Sequence, residues 1–452
     1  MSEKKLSSRD FWRVLFIVTT VVALAACVTT PGPEATEAQE APAAEGPIEI
    51  VHWSWLGASD APVWEELIND FNAAHDDIQI KFESFPSEEW DTKVKAAVAA
   101  GQGPNFGWVY PGGGLHAEWV EDGLVVPLDD LAELVGLDLD DFVEPILNNG
   151  RYAAFGNQLY EIPLDVMTMA FEINVDHAEE AGLDINNPPQ TGEELIEWAK
   201  AMTVREGDTV TRSGLLLGPA IQNTVTWGVV SAQMGFQRAS DDLTTACINP
   251  EAGIKAMNWI LDAYNTHNVS TLEVTDRYKA FGVGQGSMFM TGPWTVIGYH
   301  DQGLNFQTIH VPKIGDEQTT YLEVGSLEIY AQEDESRYAH TMEAIKWLSD
   351  NSMKWVTIGR GGSPRKSIIA TEEYSTTGLP WEKRGAFVDE KAMEMATTPM
   401  GYGLTEGVSD FVIYSGDNIL ATTLDGVWYG QMTPEEAMDI LCEEWQEDLD
   451  AQ

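Results

Sequence analysis

Sixteen tryptophans are spread over 452 residues, and several close apolar runs that read as strands. Trp53 and Trp55 end the run that begins at Ile48, and Trp108 and Tyr110 end the run that begins at Phe106, just ahead of Pro111 and three glycines. Trp294 follows Gly292 and Pro293, and Trp227 stands in a threonine-rich segment. The face of an indole or phenol ring is electronegative and suits polarised C–H groups. Carboxylates, of which the chain has 73 against 25 basic groups, are planar acceptors for hydroxyls. Trp-rich chains with so few cations often turn aromatic faces to neutral ligands, and strand carboxyl ends are where α/β folds hold ligands. Only one of Trp53 and Trp55 is expected to reach such a site. The alternative for every ring is core packing. Trp64, Trp90, Trp198, Trp259, Trp347 and Trp445 recur at helical spacing and are assigned there.

Residue patterns for other chemistries are missing. There is no Gly-x-x-x-x-Gly-Lys-[Ser/Thr] loop for phosphates, no His-Glu-x-x-His and no Gly-x-Ser-x-Gly. The glycines of 282–286 lack dinucleotide spacing and read as a turn. The acidic runs at 129–130 and 138–141 lack the glycine of a calcium loop. Carboxylates are too numerous for any pair to single out a glycosidase. No catalytic residue, metal ligand or cofactor is assigned. The formal net charge of −48 argues against nucleic acid as a partner.

The first 26 residues read as an export signal. Lys4, Lys5, Arg9 and Arg13 precede an apolar stretch at 14–26, which is shorter than the roughly 20 residues a spanning helix needs. The stretch ends Leu24-Ala25-Ala26-Cys27, which resembles a bacterial lipobox. That resemblance implies lipidation of Cys27 and an anchor that does not span the bilayer. Without 1–26, 21 basic groups face 71 acidic ones. Residues 28–46 are rich in Pro, Ala, Glu and Thr and read as a tether reaching up to roughly 60 Å. Cys247 and Cys442 could form a disulfide or stand as separate buried thiols.

The body opens βαβαβ: a strand at 48–53, a helix carrying Val63, Trp64, Leu67, Ile68 and Phe71, and a strand at 78–82. A helix from Ser87 closed by Gly101 and a strand at 106–109 follow. The pattern implies a parallel sheet with right-handed crossovers. Later helices start at Thr191 with Glu194, at Asn249-Pro250 and at Thr433-Pro434, with strands at 306–311 and 327–330 between them.

Five stretches in order, 99–105, 159–163, 173–195, 281–294 and 359–366, resemble the motifs of extracellular solute-binding proteins of ABC importers. The likeness is to the carbohydrate-binding class that includes maltose-binding protein. FGVGQGSMFMTGPW is similar to that family's Gly-x-x-Ala-Met…Gly-Pro-Trp signature, and GRGGSPRK to its late Gly-x-x-Pro-x-Arg segment. The resemblance implies an α/β fold of two lobes around a ligand cleft, crossed three times by the chain, near 163–167, 323–326 and 363–369. One lobe would be 48–165 plus 325–368, the other 166–324 plus 369–452. It puts Trp294 at a stacking position, Asp165 and Glu323 at the crossings and Arg365 at the cleft. The implied partners are a mono- or oligosaccharide and the permease subunits of an importer with a separate ATPase, the binding protein itself being a monomer. A non-sugar solute (polyamine, peptide or glycerophosphodiester), a secreted glycoside hydrolase and a purely structural lipoprotein are the alternatives.

Overall fold

The computed structural model describes residues 46–57, 60–85, 87–109, 119–152, 155–218, 221–240, 244–357, 361–376, 390–395, 398–399 and 419–450. The expected signal segment, Cys27, most of the tether and Tyr110 lie outside the described residues.

The chain begins with β1 (Ile48–Ser54), α1 (Ala61–Ala74), β2 (Ile78–Ser84), α2 (Ser87–Ala99) and β3 (Phe106–Val109). In β1, Ile50, His52 and Ser54 are buried while Val51 and Trp53 face the other side, the alternation of a pleated strand. α1 carries a proline in its first turn and buries Trp64, Leu67, Ile68 and Phe71, one stripe of a 3.6-residue repeat. Gly101, at φ 68°, turns the chain out of α2 in the left-handed region that glycine enters without a Cβ penalty.

β4 (Glu161–Thr168) and β5 (Ala170–Asn174) follow, separated by Met169. Next come α3 (Gly192–Met202), α4 (Ile221–Gln233), α5 (Pro250–Asn265), α6 (Arg277–Gly282), β6 (Met288–Thr291), α7 (Val296–Asp301), β7 (Phe306–Ile309) and β8 (Tyr321–Ile329). α3 starts with a reciprocal cap between Thr191 and Glu194. α8 (Arg337–Asp350), β9 (Thr398–Pro399), α9 (Ile419–Trp428) and α10 (Pro434–Asp450) complete the main elements.

The first sheet has the strand order β9-β8-β3-β1-β2, with β4 also paired to β8. β1 runs parallel to β2 and β3, and β8 is antiparallel to β3 and β4. Its core holds Trp64, Phe71, Ile162, Leu164, Leu327 and Trp355. The second sheet is the antiparallel trio β6-β5-β7. Its neighbouring core holds Met169, Phe171, Trp227, Met257, Tyr321 and Trp445. Along β4 and β8, residues pass from one core to the other between Leu164 and Met169 and between Leu327 and Tyr321. Here Val324 pairs with Val166 and Gly325 with Asp165, and the register shifts between Gly325 and Ser326. Gly362 exchanges two backbone hydrogen bonds with Val166 at 2.7 and 3.0 Å, adding a third segment at the same place.

The third crossing comes later than 363–369. Ile368 and Tyr374 are buried in the first core, and the chain reaches the second by Met395. Cys247 and Cys442 are joined in a disulfide with a Cα–Cα distance of 5.5 Å, tying α10 to the segment before α5.

Candidate functional site

β1, β2 and β3 run parallel, so their carboxyl ends open on one edge of the first sheet, and an aromatic cluster lies there. Trp53 stands edge-on to Phe85, which follows β2, at 5.0 Å between centroids. Trp55 stands edge-on to Trp90 of α2 at 5.1 Å. Both rings pack on a group that includes Trp119, Tyr152, Tyr160 and Tyr330. The expectation that only one of Trp53 and Trp55 faces this side is corrected: they are two residues apart, and a strand's side-chain period is two. Both remain half-buried. Lys93 lays its ammonium 3.0 Å from the Phe85 centroid and 5.4 Å from that of Trp53, placing one of the few cations of the chain over π faces. Tyr152 donates from its hydroxyl to Glu161 at 2.7 Å. Burial, with the charge of Asp129, pushes the Tyr160 phenol above its ordinary pKa.

On the second lobe, Trp294 is half-buried beside β6 and packs on the second core. Its indole folds back over Gly292, where a Cβ would overlap the six-membered ring. The ring borders a cavity of about 300 Å³ formed with α6 and α7. Tyr299 closes its inner wall and donates to the Tyr278 carbonyl at 2.9 Å.

Four expected ligand residues are held elsewhere. Trp108 is fully buried in the first core, edge-on to Trp64 at 5.0 Å and tilted against Trp355 at 5.1 Å. β3 is a central strand, flanked by β1 and β8 and buried at every residue, so its end does not project a ring outward. Trp227 lies within α4 rather than a loop, fully buried, and donates to the Gly253 carbonyl at 3.0 Å. Asp165 is fully buried at the crossing: it accepts from the Trp355 indole N–H at 2.7 Å and from the Gly325 N–H at 3.0 Å. Arg365 lies over Phe142 and donates to Asp141 at 2.7 Å, to Ser349 at 2.9 Å and to Asp350 at 3.0 Å, clamping its segment to the first lobe. Burial raises the Asp141 carboxyl, but hydrogen bonds from Ser367 and Arg365 outweigh it and hold the pKa below the usual range. Glu323 is buried at the same crossing as Asp165, its backbone opposite Met167.

Sequence reasoning passed over Phe85, Lys93, Trp119 and Tyr152 at this edge. Trp90 was assigned to core by helical spacing; it is buried, and it also forms the back wall of the aromatic edge. The missed signal was the position of Phe85 and α2 immediately after a strand end. Among the described residues no group of three or more His, Cys, Asp or Glu is placed to hold a metal ion, and no helix is long and apolar enough to cross a membrane. Among the described residues the edge, the crossing strands and the Trp294 cavity present ring faces and hydrogen-bonding groups.

Known proteins share this architecture. The maltotriose-binding protein of Pyrococcus abyssi is 23% identical over 278 residues, which is 61% of this chain and 56% of that protein. The chain thus spans little more than half the length of that curated relative. The sn-glycerol-3-phosphate-binding periplasmic protein UgpB of Pectobacterium atrosepticum is 21% identical over 85% of this chain and 90% of its own. A solved ABC transporter solute-binding protein from Thermotoga lettingae, bound with α-D-tagatose, superimposes with a TM-score of 0.74 at 19% identity, covering 89% of this chain and all of that one. A likeness at that identity carries the fold, which is the two-lobed α/β fold of solute-binding proteins. The profile of the bacterial extracellular solute-binding protein family matches residues 66–380, and the chain belongs to that family.

Proposed function

We propose that this protein captures a carbohydrate outside the cytoplasmic membrane by closing two lobes over it, and delivers it to the permease of an ABC importer. The observation that supports the reading is the set of half-buried rings on a family-type fold, Trp53 and Trp55 at the strand end of one lobe and Trp294 on the other, with β4 and β8 crossing between the two cores. The lobes are taken as 48–165 with 325 to at least 374, and 166–324 with 395–450. A ligand that touches both lobes only when they are closed stabilises the closed state by that differential affinity. No bond is made or broken, and the energy for transport comes from a separate ATPase. Trp53, Trp55 and Trp294 are the proposed ligand contacts, and Tyr110 and Glu323 are retained as further candidates. Residues 1–26 act as the export signal, Cys27 carries the lipid, 28–46 form the tether, and the protein works as an anchored monomer.

Intrinsic tryptophan fluorescence and thermal shift, titrated with a panel of neutral oligosaccharides, test the reading. A ligand at 100 times its Kd is expected to stabilise the fold by about 2.7 kcal/mol. An unchanged spectrum and melting temperature across the whole panel would remove the carbohydrate assignment. The similarity to a glycerol-3-phosphate-binding protein over 85% of the chain makes glycerophosphodiesters the second ligand class to titrate.

A further inference from the structure

We propose that the aromatic edge of the first lobe is a cation cage that takes an ammonium group of the ligand, and that the Lys93 ammonium is its internal stand-in. The proposal rests on the reading of that edge as the ligand side of the lobe, and it adds the charge the ligand carries there. The chemistry is an ammonium over ring faces, supplied by the amine of an amino sugar or by a choline-like quaternary nitrogen. Lys93 shows the cage occupied. Its ammonium stands 3.0 Å from the Phe85 centroid and 5.4 Å from that of Trp53, both inside cation–π range. Side chains on a helix lean toward its N-terminus, so the lysine stem runs from α2 toward the carboxyl ends of β1 and β2. Trp90 lies one turn earlier on α2 and meets Trp55 edge-on at 5.1 Å, which brings four rings to one edge. Among the described residues no carboxylate lies at ion-pair distance from Lys93, whereas Lys95, Arg151 and Arg212, also half-buried, each have one within 3.5 Å. Ring faces hold this cation in place.

Two carboxyl groups lie on the same face of the sheet. Trp53 pairs with Gly107, Gly107 with Glu328 and Glu328 with Glu161, a row across β1, β3, β8 and β4. A Cβ at Gly107 would run into Tyr330, whose ring fills the step between Trp53 and Glu328. Glu161 and Glu328 are both buried, so they act on the cage through their field and not by contact. Whatever charge they carry is negative and is screened less than it would be in water. The excess of acidic over basic groups, 73 against 25, also draws cations toward the chain. Lys93 is half-buried on a flexible four-carbon stem and can swing into solvent. There its own charge is screened over about 8 Å at physiological salt. An incoming ammonium therefore replaces one cation–π contact by another, and the ligand adds its remaining contacts.

Calorimetry compares wild type with Lys93→Ala, which empties the cage, and Phe85→Leu, which removes a ring and keeps apolar volume. The probes are glucosamine oligomers with the amine protonated, their N-acetylated and gluco counterparts, choline, glycerophosphocholine and oligogalacturonates. Wild type is expected to bind the amine-bearing oligomers more tightly than the neutral ones. Lys93→Ala should raise that affinity about fivefold and Phe85→Leu should lower it about fivefold, with neutral oligomers staying within about twofold in both. A gain in affinity does not come from a lost fold, so Lys93→Ala carries the test if Phe85→Leu melts early. Choline or glycerophosphocholine bound above every saccharide, with the same two responses, supports the cage and overturns the carbohydrate reading. Neutral oligomers bound as tightly as amine-bearing ones overturn the cage and leave the carbohydrate reading intact. Oligogalacturonates bound best, and lost in Lys93→Ala, overturn the cage by making Lys93 a donor to a carboxylate. Binding of no probe by wild type overturns both.

Discussion

Asp165 and Trp355, 190 residues apart in the chain, meet where the lobes join: the indole N–H donates to one carboxylate oxygen at 2.7 Å while the other oxygen accepts the Gly325 N–H at 3.0 Å. One buried side chain thereby ties β4 to β8 and to the segment after α8. A Cβ at Gly325 would run into that carboxylate and into Trp108, so the glycine admits the contact. Asp165→Ala strands two buried donors, each worth about 1–3 kcal/mol when left unpaired. The expected loss is about 2–4 kcal/mol in urea unfolding, with Asp165→Asn intermediate because its amide offers one acceptor rather than two. A loss below about 0.5 kcal/mol for Asp165→Ala would show that the bond does not hold the crossing.

Trp108 and Trp55 provide a paired contrast. Trp108 is enclosed by Trp64 and Trp355, whereas Trp55 leaves part of its surface uncovered at the strand edge. Trp108→Leu is expected to lower stability by about 2–4 kcal/mol through the cavity it leaves, with saccharide affinity within a few-fold of wild type. Trp55→Ala is expected to lose about tenfold or more in affinity while losing less stability. Chemical denaturation and calorimetry on the same two proteins decide it, and the reverse ranking would move the site away from the β1 edge.

The opening βαβαβ pattern was legible because the period-2 strands and the α1 stripe are short-range signals. The strand ends were legible for the same reason, and the ligand contacts proposed at Trp53 and Trp55 rest on them. Trp108 was misjudged because strand-end logic does not see that β8 covers β3 on its open edge. Trp227 was misjudged because its anchor, the Gly253 carbonyl, lies 26 residues away in another helix. Arg365 sits in a segment that resembles a family motif, but its partners Asp141 and Asp350 come from separate elements. The disulfide joins residues 195 apart, and only the packing of α10 beside α5 brings them within reach. Local pattern locates elements, and charge partners and ring neighbours follow from the fold.

His52 predicts a pH dependence. It is stacked between Phe82 and Phe106 and fully buried. The Trp64 indole donates to its Nε2 at 2.9 Å, leaving Nδ1–H to face the Phe106 carbonyl at 3.2 Å. Burial pushes the imidazole from 6.5 down to about 3, against the smaller upward pull of that carbonyl. Above pH 6.5 the ring is neutral in both states and the contribution is flat. As pH falls from 6.5 toward 3, the unfolded chain takes a proton that the folded one refuses, and stability drops by about 1.4 kcal/mol per pH unit. His52→Gln should be less stable at pH 8, having lost the stack, yet show a shallower decline between pH 6 and 4. The carboxylates titrate alike in both proteins and cancel in the comparison. Parallel stability curves over that range would refute the assignment of the slope to His52.

The Cys247–Cys442 bond closes a loop of 195 residues that runs from the second lobe through the first-lobe stretch 325–374 and back. In the chain-entropy account a loop of that size restrains the unfolded state by about 5 kcal/mol, with measured values scattering below that. It also holds α10, whose Leu441 and Trp445 are buried against α5 and α9. Cys247→Ser combined with Cys442→Ser should therefore lower the melting temperature by several degrees, and a reductant should do the same to wild type but nothing further to the double variant. The aromatic edge of the first lobe lies in a different core, so saccharide affinity at 25 °C is expected to stay within about twofold. Equal melting temperatures for wild type with and without reductant would mean that packing alone fixes α10.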